Sequence, residues 1–384
     1  MGDDRRPVVL FSGGGTGGHL YPALALATAL VALRPDVRPF FVGAEKGIEA
    51  RVLPQKQVEH ALLPVRGFAR GQLLSNWRLV PALARSLVQI WRLFGALRPQ
   101  LVVVTGGYAS GPSGMVAALR GVPLVVQEQN SVPGFTTRLL SRWARAIYVA
   151  FPEAAHGLPV LARDKVIESG NPIDPPQSLN RTEARAAFGL REEGLVVLVV
   201  GGSQGSAALN ARVLEAVSLV ARGARPLPPG LQLLWSTGTG HGDAVRAALA
   251  GLGHPAWVRA MDYINDMPRA LVAADLAVSR AGAMATSEQL AWGLPAVLVP
   301  LPTAAANHQE HNAVALAAAG AAVHIREADM TGERLLSTIE GLVADPARFE
   351  ALRKSARERG RPESANQIAA SLVALLPSAG GDAT

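Results

Sequence analysis

A chain of 384 residues with 49% hydrophobic and 17% charged side chains is too apolar to be disordered and too long for one hydrophobic core, which points to two compact domains. The absence of cysteine excludes disulfides, thiolate nucleophiles and Cys-ligated metals. Lys and Arg number 37 against 30 Asp and Glu, and the resulting net charge of +7 favours an anionic partner: nucleotide, lipid headgroup or nucleic acid.

In chain order, mixed charges pass almost at once into the apolar run PVVLF, with no long apolar leader segment, so a cytosolic placement is expected. The helix-like PALALATALVAL and the apolar VRPFFVG follow. From Asn76 to Arg98 the chain reads as a helix with Arg78, Arg85 and Arg92 one heptad apart, flanked by Trp77 and Trp91. Two readings of it stand side by side: a helix lying in an anionic membrane interface, and a domain helix with a solvated basic edge. LVVVTGG and PLVVQEQN come next. The rhythm restarts after Asn171-Pro172 with LVVLVVGGSQGS, LQLLWSTG, LAVSRAG and AVLVPLP. Runs apolar on both faces fit parallel strands covered by helices. The expected class is therefore α/β, with two doubly wound, Rossmann-like parallel sheets facing across a cleft. The expected domains are 1–173 and 174–357, with a last helix in 358–384 packing back on the first domain. Ser364 to Leu376 carries Ile368, Leu372, Val373 and Leu376 at helical spacing. Gln289 to Asn307 is uncharged but holds Pro295, Pro300 and Pro302, which reads as a helix end, a buried strand and a loop rather than a membrane span.

Glycine turns end several of these strands. Ser12 to His19 (SGGGTGGH) joins a strand to a helix whose first turn is expected to include Pro22. Glycines there let an anion approach the backbone, and a helix start supplies free N–H donors. The same letters satisfy G-x-G-x-x-G from Gly13 to Gly18, with Glu45 placed as a ribose-binding acid, so a NAD-dependent dehydrogenase is a rival reading. The turns recur at Thr105 to Pro112 and at Gly201 to Ser206, which suits a sugar nucleotide plus a second phosphorylated ligand. Close helix packing accounts for Gly111 and Gly114 but not for polar Ser203 and Gln204. In Ser279 to Glu288 two readings are open: Ser and Thr cap a helix whose first turn reaches Glu288, or Glu288 accepts two ribose hydroxyls. His308 and His311 lack a third neighbouring donor, so no metal site is expected.

The ordered set GGTGGH, GGYASGP, EQNSVPGFTTRLLSRWA, SGNPI, GGSQGSAALN, SRAGAMATSEQLAWGLPAVLVP and HQEHNA resembles the MurG family across nearly the whole chain. That resemblance implies a GT-B fold without a cofactor or metal. It implies inverting transfer of N-acetylglucosamine from UDP-GlcNAc to lipid I, giving lipid II, at the cytoplasmic face of the bacterial membrane. Its implied partners are UDP-GlcNAc, lipid I, the anionic membrane surface and other cell-wall synthesis proteins, with no nucleic acid. A non-catalytic binding module and a UDP-GlcNAc epimerase of the same fold are the remaining alternatives. Carried over by residue, Glu288 holds the ribose, Ile264 the uracil edge, and Ser203 with Ala283, Met284, Ala285, Thr286 and Ser287 the diphosphate. Gln309 takes the sugar hydroxyls, and Thr16, Gly17, Gly18 and Asn130 complete the donor set. Gly14, Gly15, Gly106, Gly107, Tyr108 and Ser110 cradle the lipid diphosphate, and His19 is the base, with Glu128 as competing carboxylate. Two positions depart from the family pattern: Gln127 stands where His is usual, and Asp174 where many members carry Arg, so either Arg181, Arg280 or another cation substitutes or donor affinity is lower.

Overall fold

The computed structural model describes residues 6–65 and 79–377; Trp77 and Arg78 therefore lie outside the described residues. In chain order the first half holds β1 (Val8–Gly13), α1 (Gly17–Leu33), β2 (Arg38–Ala44), α2 (Glu49–Gln55), β3 (His60–Leu63), α3 (Leu79–Leu97), β4 (Leu101–Gly106), α4 (Ser110–Arg120), β5 (Leu124–Glu128), α5 (Phe135–Leu140), β6 (Ala146–Val149) and β7 (Val166–Glu168). The second half holds α6 (Arg181–Ala187), β8 (Val196–Val200), α7 (Ala207–Ala221), β9 (Gln232–Ser236), α8 (Gly242–Gly251), β10 (Val258–Met261), α9 (Met267–Ala273), β11 (Leu276–Ser279), α10 (Ala283–Ala291), β12 (Ala296–Leu298), α11 (His308–Ala318) and β13 (Ala322–His324). Three helices close the chain: α12 (Gly332–Val343), α13 (Pro346–Arg359) and α14 (Ser364–Val373).

The strands form two all-parallel sheets, ordered β3-β2-β1-β4-β5-β6-β7 and β10-β9-β8-β11-β12-β13. Every residue of β1, β4 and β5 is buried, as Val- and Leu-rich runs without alternation require when helices cover both faces. The chain divides into two units at Asp174/Pro175 and again at Pro362/Glu363, so α14 belongs with the first sheet. Its Ala365, Ile368, Ala369 and Leu372, and Leu376 just beyond it, are buried in one cluster with Leu20, Leu26 and Leu30 of α1 and Val9 and Phe11 of β1. The uncharged stretch Gln289 to Asn307 is the end of α10, then β12, then a loop. Among the described residues no helix is long and apolar enough to cross a membrane.

Strand order reverses between β1 and β4 in one sheet and between β8 and β11 in the other. At such a point the connections leave toward opposite sides and open a crevice beyond the carboxyl ends of the strands. The glycine turns singled out in the sequence follow these strands. Leu372→Ala removes a fully buried side chain from the seam between α14 and α1. It is expected to destabilise the first unit by about 2–5 kcal/mol, read as an earlier unfolding transition in urea with the second unit's transition unchanged.

Candidate active site

At the first switch point, α1 starts at Gly17, with extended Thr16 as its N-cap and no side-chain cap bond. The first-turn N–H groups of Gly17 and Gly18 have no intrahelical acceptor and lie at the positive end of the helix dipole. Pro22 is the sixth residue of this helix, beyond the first turn where it was expected. Gly14 donates its N–H to the Gly106 carbonyl at 3.3 Å. Gly107 has φ +76, and a Cβ on it would stand 1.9 Å from the Gly14 carbonyl oxygen. The two loops touch only because that atom is missing. The Tyr108 ring covers the other side, 2.5 Å from where a Cβ on Gly15 would project. Ser110 opens α4 and donates its hydroxyl to the Gly107 carbonyl at 2.9 Å. Gly14, Gly15, Gly106, Gly107, Tyr108 and Ser110 are thus brought together with Thr16, Gly17 and Gly18.

His19, the third residue of α1, is partly buried. Its Nδ1 lies 2.9 Å from the Thr105 carbonyl oxygen and 2.7 Å from Gln129 Oε1. Gln129 is oriented by its own amide nitrogen, which donates to Thr105 O at 2.8 Å and Gln127 O at 3.1 Å. With two acceptors facing Nδ1, that nitrogen carries the proton, and the Nε2 lone pair is left to accept one. Thr105 Oγ1 also donates to the His19 carbonyl at 2.7 Å, fixing the helix turn itself. Gln127, in place of the usual His, is fully buried and donates to Asn171 Oδ1 at 3.0 Å, while Asn171 donates to the Gln129 carbonyl at 3.2 Å. Gln127 therefore serves the scaffold around Gln129. Glu128 accepts from the Asn130 and Gly134 N–H groups at 3.0 and 3.1 Å, so both carboxylate oxygens hold the loop that presents Asn130. Sequence reasoning missed Gln129, Thr105 and Glu49. Glu49 sits beneath the first glycine turn and accepts the Gly15 N–H at 2.7 Å.

At the second switch point, Ser203 is exposed in the turn between β8 and α7, and Ser206 caps α7 by accepting the Leu209 N–H at 3.3 Å. Helix α10 begins at Ala283 behind Gly282, so Met284 and Ala285 are in a first turn without a side-chain cap. Thr286 donates its hydroxyl back to the Gly282 and Ala283 carbonyls, and Ser287 and Glu288 lie beyond the first turn. The capping reading of these residues is thereby overturned; the donors at this helix start are backbone amides. Glu288 is partly buried, and Ile264 is buried in the connection between β10 and α9. Gln309, in the first turn of α11, accepts the Leu301 N–H at 3.0 Å. Two left-handed non-glycine residues, Ala306 (φ 52) and Asn307 (φ 56), set the start of that helix.

Neither arginine expected to replace the missing guanidinium is uncommitted. Arg181 pairs with Asp275, which also pairs with Arg185 at 2.7 Å. Buried Arg280 pairs with Glu327, reaches the Ser206 hydroxyl at 2.6 Å, and donates to the Val299 and Pro300 carbonyls at 3.1 Å. It ties the glycine turn after β8 to the end of β12.

Residues 9–149 match the glycosyltransferase family 28 N-terminal domain and residues 196–368 its C-terminal domain. Over 377 residues the chain is 43% identical to a Salinibacter ruber protein named UDP-N-acetylglucosamine--N-acetylmuramyl-(pentapeptide) pyrophosphoryl-undecaprenol N-acetylglucosamine transferase, with 97% of each chain covered. It is 40% identical to the Moorella thermoacetica protein of the same name, covering 94% of this chain and 96% of that one. The crystal structure of Acinetobacter baumannii MurG matches with a TM-score of 0.76 at 28% identity, over 96% of this chain and 99% of that one. The chain belongs to the MurG family. Membership in this glycosyltransferase family sets aside the dehydrogenase reading, and Glu45, though it follows β2, is an exposed residue of a MurG-family turn. Gln129 and the Thr105 carbonyl together fix which nitrogen of His19 carries the proton. Gln129→Leu keeps side-chain size but leaves Nδ1 one acceptor; it is expected to lower the transfer rate about 10- to 100-fold, measured as kcat beside an unchanged thermal midpoint.

Proposed function

We propose that this chain transfers N-acetylglucosamine, with inversion, from UDP-GlcNAc to the C4 hydroxyl of the muramoyl sugar of lipid I, giving lipid II and UDP in peptidoglycan synthesis. The observation that carries the reading is the imidazole of His19, its Nδ1 bound by two acceptor oxygens at the mouth of the β1–β4 crevice in a chain of this family. The C4 hydroxyl oxygen attacks the anomeric carbon from the face opposite the leaving group. Its proton passes to Nε2 of His19 as the new C–O bond forms, and the bond to the UDP phosphate oxygen breaks, with the electron pair leaving on UDP. Fixed amides at the start of α10 stabilise that departing charge without reorganising.

In this reading Glu288 binds the ribose hydroxyls and the backbone at Ile264 the uracil edge. Ser203 and the Ala283 to Ser287 turn take the diphosphate, and Gln309 the sugar. Thr16, Gly17, Gly18 and Asn130 act on the transferred sugar, while Gly14, Gly15, Gly106, Gly107, Tyr108 and Ser110 cradle the lipid diphosphate. The transfer assay with radiolabelled UDP-GlcNAc and a lipid I analogue tests the reading directly, since label must enter lipid. His19→Ala is expected to keep UDP-GlcNAc binding and to lower kcat about 10²- to 10⁴-fold, the range of a general base; unchanged turnover would remove His19 from that role.

The same proposal places the chain at the cytoplasmic face of the membrane as a peripheral protein. What supports it is α3, which buries Ile90 and Phe94 in the domain and exposes Val80, Leu83, Val88 and Trp91 together with Arg85 and Arg92. The Arg120 guanidinium lies 4.0 Å from the Trp91 ring centroid, adding a cation to the exposed apolar edge. Apolar side chains ringed by arginines suit an anionic lipid surface. Leu83→Ser combined with Trp91→Ser is expected to reduce co-sedimentation with phosphatidylglycerol vesicles severalfold and to leave kcat on a water-soluble acceptor unchanged.

A further inference from the structure

Beneath the first glycine turn lies an acid that the steps above do not use. Glu49 opens α2, is fully buried, and turns its carboxylate back under the loop that follows β1. Oε1 accepts the Gly15 N–H at 2.7 Å, and Oε2 lies 3.5 Å from the Ala44 N–H at the end of β2. No lysine or arginine among the described residues pairs with it. Its space is cut from three glycines. A Cβ on Gly14 would stand 2.6 Å from Oε1, one on Gly43 2.5 Å from the Glu49 Cβ, and one on Gly47 1.7 Å from Oε2. An apolar side chain would fill such a space more cheaply, because a buried carboxylate without a cationic partner costs free energy. Burial accordingly raises the Glu49 pKa, against the opposing pull of the Gly15 and Ala44 N–H groups and of His19. The titratable groups that face it are His19 from α1 and Tyr108 from the loop after β4; Glu45 and Lys46 of its own segment are exposed.

We propose that Glu49 is a positioning residue for the transfer reaction: it pins Gly15 from behind so that the start of α1 points at the acceptor diphosphate, and it sets a negative charge near His19 that stabilises the imidazolium formed as the acceptor loses its proton. The inference rests on the transferase reading. Gly15 has φ +96, a region open to glycine at no steric cost, and a fixed partner for its N–H holds this permissive residue in the one course that leads into α1. Glu49 supplies that partner from the side away from the substrate, which leaves the Gly17 and Gly18 amides unused. When Nε2 takes the proton, the charge born on the imidazole lies in the field of a carboxylate already in place.

The test uses the full chain with UDP-GlcNAc and a lipid I analogue. Glu49→Gln keeps an acceptor for Gly15 and removes the charge. Its kcat is expected to fall about 10- to 100-fold at an unchanged donor KM, because the developing imidazolium loses the carboxylate that stabilises it. Its thermal midpoint at neutral pH is expected to equal or exceed that of the parent, because a desolvated charge is gone. Gly47→Ala pushes the carboxylate aside but leaves the charge; its kcat is expected to fall as well, at an unchanged donor KM. A Glu49→Gln enzyme with the parent's kcat, or loss of activity in step with loss of thermal stability in both variants, overturns the proposal. Failure of the parent enzyme to label lipid would instead remove the transferase reading itself.

Discussion

Everything at the first switch point depends on one missing atom. The connection after β1 and the connection after β4 lie so close that a Cβ on Gly107 would stand 1.9 Å from the Gly14 carbonyl oxygen. Because both positions are glycine, the loops dock, Gly14 donates to the Gly106 carbonyl, and Thr105 comes within reach of His19 from the neighbouring strand. The imidazole is thus held by the carboxyl end of β4, a fully buried central strand, and by the segment after β5, rather than by its own helix. A side chain on a helix's first turn keeps several rotamers. One whose Nδ1 is fixed by two oxygens from β4 and the segment after β5 keeps one, and a single proton-accepting nitrogen with it.

The two units solve the same problem with different chemistry. Both bring two glycine-bearing connections to the carboxyl end of a parallel sheet where strand order reverses. In the first, the organising polar groups are mostly neutral amides: Gln127, Gln129 and Asn171 form a buried chain, and Glu128 holds the Asn130 loop. In the second it is a buried ion pair, Arg280 with Glu327, fastening the Ser206 cap to the end of β12. The amide chain holds His19 from the side with neutral groups, while the ion pair ties two loops of the second unit together with charges.

Much of this was legible in the sequence, and the limits are instructive. Unbroken apolar runs such as LVVVTGG predict buried parallel strands, because helices must cover both faces. Glycine turns after those strands locate both crevices, and the ordered motifs name the family. Hidden from view was everything that depends on contact between segments far apart in the chain. Gln129 lies between two residues already singled out, yet only the 110-residue separation closed by the fold shows that its amide orients His19. Glu49 reads as an acid at a helix start, a common and bland arrangement, until three glycines from two segments are found packed around its carboxylate. The capping role read into Ser287 and Thr286 failed for a related reason: helix starts are set by backbone geometry, and Gly282 begins α10 a turn earlier than side-chain preference suggests.

Asp174, the last residue of the first unit before the chain enters the second, places a carboxylate where the family resemblance leads to the expectation of a guanidinium. Arg181 shares the Asp275 carboxylate with Arg185 and Arg353, and Arg280 is matched by Glu327, so both arginines are already held by acids of their own unit. In the proposed reading, a diphosphate in the second unit meets oriented dipoles: the amides opening α10 and the glycine turn after β8. Dipoles held by a folded backbone lose no side-chain entropy on binding and act over a few ångströms, inside the range where salt screens weakly. Arg85 and Arg92 are exposed on α3, where attraction to an anionic surface acts over a longer range and salt screens it strongly. In the proposed reading the chain therefore uses positive potential in two ways: short-range and fixed by the backbone at the diphosphate, long-range and screenable on the exposed face of α3.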